Sequence, residues 1–111
     1  MRHFLSEIID KLDRQKDTLG IARNAYLAKE AERKHFEATL IQAASGKSHA
    51  EKTVNAQALP EYARFQKDLA RLEAVFEFQK LKFEVLDKEF QAQYLQAKQD
   101  APVIRKTGSV T

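Results

Sequence analysis

Apolar residues recur along this chain at alternating spacings of three and four. Leu5, Leu12, Leu19, Tyr26, Arg33 and Leu40 stand seven apart, and Ile8, Gln15, Ala22, Lys29, Phe36 and Ala43 fill the offset of three. A second series runs Tyr62, Leu69, Phe76, Phe83, Phe90 and Ala97, interleaved with Phe65, Leu72, Gln79, Leu86 and Gln93. Positions three and four apart return to one face of an α-helix, so each series is the seam of a long helix lying on another. The pattern predicts arms at 4–45 and 60–99, each about 40 residues and so about 60 Å long. Matched lengths and a short linker predict an all-α fold, a long antiparallel helical hairpin of coiled-coil type. Gly20 lies in the first arm and costs about 1 kcal/mol relative to Ala. The register does not slip there, so the arm reads as one helix, with a break at Asp17-Thr18 as the alternative.

The linker, 46–59, carries its own signals. Gly46 follows the last periodic residue, where a left-handed conformation commonly ends a helix. Ser48 and Glu51 form an S-x-x-E capping box, which predicts a short helix to about Ala56. Gly46-Lys47-Ser48 also matches the end of a phosphate-binding loop. That loop needs a glycine five residues earlier, where Ile41 stands, and a strand before it. The hinge reading satisfies every residue. Pro60 suits the first turn of the second arm. Asp100-Ala101-Pro102 predicts its end, leaving 100–111 as a mobile tail.

The two arms differ. The second carries another apolar stripe, Ala74, Phe78, Leu81, Val85, Ala92 and Leu95. A two-helix hairpin buries one stripe per arm, and a surplus stripe of this length marks an interface. Phe78, Leu81, Val85, Ala92 and Leu95 are therefore expected to join copies into a homo-oligomer. The first arm is polar in mid-seam, at Lys29 and Arg33. An antiparallel fold sets these against Arg71 to Glu77, with Glu73 and Glu77 as expected salt-bridge partners that fix the register. The alternative is a positive patch in a groove between subunits.

Composition narrows the class. The chain has 111 residues, 43% hydrophobic and 32% charged, with three Gly and two Pro. This is the size of one domain and the composition of long helices. The absence of Cys excludes disulfides and thiolate zinc sites, and fits a reducing compartment. The opening MRHFLSEIIDKLD is too charged for a signal peptide, and no apolar run approaches the roughly 20 residues of a membrane span. A cytoplasmic protein without membrane contact is expected.

Net charge is +3, spread almost evenly along the chain, so there is no polybasic arm. Lys47, Lys52, Arg64, Lys67 and Arg71 make the most positive stretch. With Arg33 and Lys34 they are the candidate phosphate contacts for DNA. His3, His35 and His49 are far apart. Glu32-x-x-His35 is half of a di-iron motif, and the second arm has no His to complete it. No catalytic residue, metal ligand or cofactor is expected, and the chain reads as non-enzymatic.

One resemblance adds to this reading. "TLIQAASGKS" followed by "EKTVNAQALPEYARFQKDLARLEAVFEF" gives a long helix, a Ser-Gly-basic break, a Lys-Thr-Val stretch and an aromatic second helix. This order, over about residues 25–97, resembles small phage recombination accessory proteins of the UvsY recombination-mediator family. The resemblance implies an oligomeric helical protein that binds single-stranded DNA. It further implies a role in loading a recombinase onto strands held by a single-strand-binding protein, in the cytoplasm of the host cell. The chain departs from the family before Leu40, where Glu37 and Thr39 replace basic residues and Arg33 and Lys34 lie a turn earlier. The alternative is a non-enzymatic interaction module, such as a phage inhibitor of a host factor or a helical chaperone. A WXG-type hairpin is disfavoured because the chain has no Trp.

Overall fold

The computed structural model describes residues 2–110, with side chains over 5–99. The chain forms α1 (Arg2–Ala43), α2 (His49–Gln57) and α3 (Pro60–Val110). It is an all-α antiparallel helical hairpin, with α2 in the connection. Every seam position named above is withdrawn from solvent except Ala43, at the end of α1. The heptad frame thus describes both arms at single-residue precision.

α1 is continuous through Asp17, Thr18 and Gly20. A methyl group built on Gly20 would meet nothing within 4 Å. The glycine costs backbone entropy without a steric cause for a break. α3 differs from expectation at its far end. The helix continues through Asp100-Ala101-Pro102 to Val110, where a stop and a mobile tail were expected. A proline removes one helical donor and clashes one turn back, at about 3 kcal/mol, so it can bend a helix without ending it. Thr111 lies outside the described residues.

The hairpin divides into two compact units, Met1–Leu19 with Phe78–Thr111, and Gly20–Glu77. In the first, Ile8 is buried and so is Gln15. The Gln15 amide Nε2 donates to the Gln79 carbonyl at 3.0 Å and to Gln79 Oε1 at 2.7 Å. Two polar seam residues facing each other satisfy a donor that would otherwise be stranded, and they fix which turn of α1 meets which turn of α3.

In the second unit the core is Ala22, Ala56, Phe65 and Leu69. Tyr26 stacks on Phe76 at 5.8 Å between ring centroids, and Phe36 on Phe65 at 4.4 Å. These pairs correct the expected salt bridges. Lys29 places its ammonium 4.6 Å over the Phe65 ring, and Arg33 pairs with Glu30 at 3.0 Å on its own helix. The broad aromatic rings fill the layers between the arms. They offer Lys29 a π-face where a carboxylate was expected. The Tyr26 hydroxyl is held above its ordinary pKa, first by burial and then by the negative charge of Glu73 and Glu30, with Arg33 opposing.

Candidate functional site

The bend uses its polar groups on itself. Ser48 caps α2 through its Oγ, which accepts the Glu51 N–H at 3.1 Å. The Glu51 carboxylate accepts the Lys47 N–H at 3.2 Å, one residue before the reciprocal contact of a standard capping box. Asn55 Nδ2 donates to the Ser45 carbonyl at 2.6 Å and draws α2 back onto the end of α1. Gly46 sits at φ 153°, and a Cβ there would lie 2.9 Å from the Lys52 nitrogen. The end of α1 is therefore not the expected left-handed cap directly after the helix. Ala44 tightens the last turn by donating to Ile41 at 3.2 Å, and the glycine is needed two residues later for close approach to α2. A phosphate-binding loop leaves its N–H groups open to an anion. Here Glu51 supplies the anion from within the chain.

The candidate phosphate contacts fall into two groups. Arg64, Lys67 and Arg71 lie at spacings of three and four on the outward side of α3, in what become positions c and f when the seam is a and d. All three are exposed, and Arg64 also reaches Glu61 at 3.4 Å. The remaining four are scattered. Lys47 is exposed at the bend, while the stem of half-buried Lys52 packs against Gly46. Lys34 shares a shallow depression with Glu37 and His49. Arg33 is half-buried and engaged by Glu30. Lys47, Lys52, Arg64, Lys67 and Arg71 are near one another in sequence, but only Arg64, Lys67 and Arg71 share a helix face.

The surplus stripe is exposed as expected. Phe78 is 57% exposed, Leu81 59%, Val85 65% and Leu95 56%, and Ala92 is exposed too. Phe78, Leu81, Lys82, Val85 and Leu86 line a shallow, mainly apolar depression. α1 has no matching surface in this unit, since its own c and f positions hold Glu7, Asp10, Arg14 and Asp17, all exposed. Lys88 interrupts the stripe, and Lys82 and Glu89 flank it. The sequence reading passed over these three charges, although the heptad letters that define the stripe also place them.

Among the described residues, no group of three or more His, Asp or Glu is placed to hold a metal ion. None of the described helices is long and apolar enough to cross a membrane. No protein-family model, curated protein or solved structure matches the chain.

Proposed function

We propose that this chain is a non-enzymatic helical module that works as an assembly of copies, with the outward face of α3 as its contact surface. One observation carries the reading. Four large apolar side chains, Phe78, Leu81, Val85 and Leu95, project at c and f positions from a fold whose buried residues among those described are few. A two-helix unit buries too little surface to leave such a stripe in water at no cost, and covering it supplies the missing core. The test is sedimentation of the wild type and of Phe78→Asp/Leu81→Asp. The wild type sediments as an oligomer at tens of micromolar. The double variant sediments at lower mass, because unpaired carboxylates are costly in an apolar interface. A monomeric wild type overturns the reading.

A second reading rests on Arg64, Lys67 and Arg71. Three exposed cations on one helix face suit the phosphate backbone of single-stranded DNA, as the resemblance to recombination accessory proteins implies. In that role the assembly acts beside a recombinase or a single-strand-binding protein. A salt titration with a single-stranded oligonucleotide decides it. Affinity falls steeply with salt and is much reduced in Arg64→Glu/Lys67→Glu/Arg71→Glu at unchanged helicity. Absence of binding at low salt leaves the protein-interaction reading alone.

A further inference from the structure

We infer that the assembly is built on a two-fold pair of α3 helices running antiparallel, in one register. Phe78 of each copy faces Leu95 of the second copy, Leu81 faces Ala92, and Lys82 faces Glu89. This rests on the self-association proposed above and specifies its partner, orientation and alignment.

The edges of the stripe are complementary in charge to themselves. The c and f positions between Phe78 and Leu95 are Phe78, Leu81, Val85, Lys88, Ala92 and Leu95. One edge, position g, carries Lys82, Glu89 and Gln96; the other, position b, carries Glu84, Gln91 and Lys98. All six are exposed. In an antiparallel pair like edges meet, g with g and b with b. The proposed register then places Lys82 against Glu89 twice, by symmetry, and Glu84 against the neutral Gln91. Phe78, Leu81 and Leu95 all find apolar partners across the pair. No like charges meet along either edge.

The neighbouring alignments fail on the same residues. A shift of one heptad towards the N-terminus sets Lys82 against Lys82 and Glu84 against Glu84. The opposite shift sets Glu89 against Glu89 and moves Leu81 opposite Gln99. A parallel pair places Lys88 against Lys88 inside the stripe and Glu84 beside Glu89. Like charges held together oppose association, which is how such edges choose partner and orientation. Lys88 is the polar residue of the proposed seam. It faces Val85 of the second copy and lies beside that copy's Glu84, so its stem can cover apolar surface while its ammonium reaches the edge. A second copy is the fitting occupant because the edge supplies both halves of its own complement, the condition for a two-fold interface.

The test uses the full chain and charge reversal. Lys82→Glu alone and Glu89→Lys alone each create two like-charged contacts, and each weakens association by about tenfold or more. An equimolar mixture of the two variants recovers association, because the heterodimer restores an opposite pair at both contacts. Lys82→Glu/Glu89→Lys in one chain recovers it too. Sedimentation equilibrium reads these four samples and the wild type, with circular dichroism confirming that each variant stays helical. A wild type that is monomeric removes the underlying self-association. A wild type that associates, with a mixture that stays dissociated or single variants that associate normally, overturns the antiparallel register and leaves self-association standing.

Discussion

Phe65 and Phe78 lie on the same helix, and their truncation separates core from contact surface. Phe65 is 5% exposed, stacks on Phe36 at 4.4 Å and lies under the Lys29 ammonium. Phe65→Ala removes a buried ring and leaves a cavity, a change that costs about 3–5 kcal/mol. Domains of this kind are stable by about 5–15 kcal/mol in all. With a urea slope of about 1–3 kcal/mol per molar, the midpoint falls by about 1 M or more. Phe78 is already 57% exposed. Full burial of such a side chain contributes about 1.5–3 kcal/mol, so Phe78→Ala costs a single copy about 1 kcal/mol. The cost grows where copies associate, because association buries the rest of the ring and couples stability to concentration. The assay is urea unfolding followed by far-ultraviolet circular dichroism, at one dilute and one concentrated condition. Phe65→Ala is destabilised strongly at both. Phe78→Ala is nearly normal when dilute and falls behind the wild type when concentrated. A loss under about 1 kcal/mol for Phe65→Ala refutes the packed seam. Equal losses for Phe78→Ala at both concentrations refute its place in an interface.

Gly20 and Gly46 carry opposite predictions, checked by thermal melts. Gly20→Ala stabilises by about 0.5–1 kcal/mol, since the added methyl has open space in a helix, whereas Gly46→Ala destabilises by more than about 1 kcal/mol because of its φ and the close Lys52 nitrogen. Gln15→Leu costs about 1–3 kcal/mol by stranding Gln79, and Gln15→Leu/Gln79→Leu recovers part of that loss; strictly additive losses in a double-mutant cycle refute the coupling. Tyr26 has a folded pKa above its unfolded value of 10.0. Its contribution is therefore present below that value and lost as pH rises through the folded one. Stability then declines at alkaline pH more steeply in the wild type than in Tyr26→Phe, measured by urea midpoints across that range.

The fold was legible because seam spacing is a property of the helix alone. Positions three and four apart share a face whatever they pack against, so the period in the sequence recovers both arms and their buried sides. The capping box at Ser48 was legible for the same local reason. What lay beyond the sequence was pairing across the hairpin. Lys29 and Arg33 look like salt-bridge formers, but which groups face them depends on ring packing between arms. That packing gave Lys29 the face of Phe65 and left Arg33 to Glu30. Gly46 was misread in a similar way. Its residue type announced a special backbone, and only the approach of α2 determined which one. Pro102 failed as a stop because one missing donor is a finite cost, set against a helix already long.

The candidate surfaces become clearer when the heptad frame is read on its outward side. Between Pro60 and Gln99 the acidic residues are Glu61, Asp68, Glu73, Glu77, Glu84, Asp87 and Glu89, and none occupies a c or f position. Those positions hold Arg64, Lys67, Arg71 and Ala74 in one unit and Phe78, Leu81, Val85, Lys88, Ala92 and Leu95 in the other. A face that only meets water has no reason to exclude carboxylates, and α1 places Glu7, Asp10 and Asp17 at the equivalent positions. Exclusion of negative charge suits both proposed roles, since a carboxylate would repel a phosphate backbone and would be costly in an apolar contact. The two roles also depend on each other. Three cations per chain hold a nucleic acid weakly, and phosphate binding strengthens steeply as copies repeat the contact along a strand. Association through the apolar positions is then the condition for binding through the basic ones. On this argument Phe78→Asp/Leu81→Asp, which keeps every basic residue, weakens binding to a single-stranded oligonucleotide together with assembly.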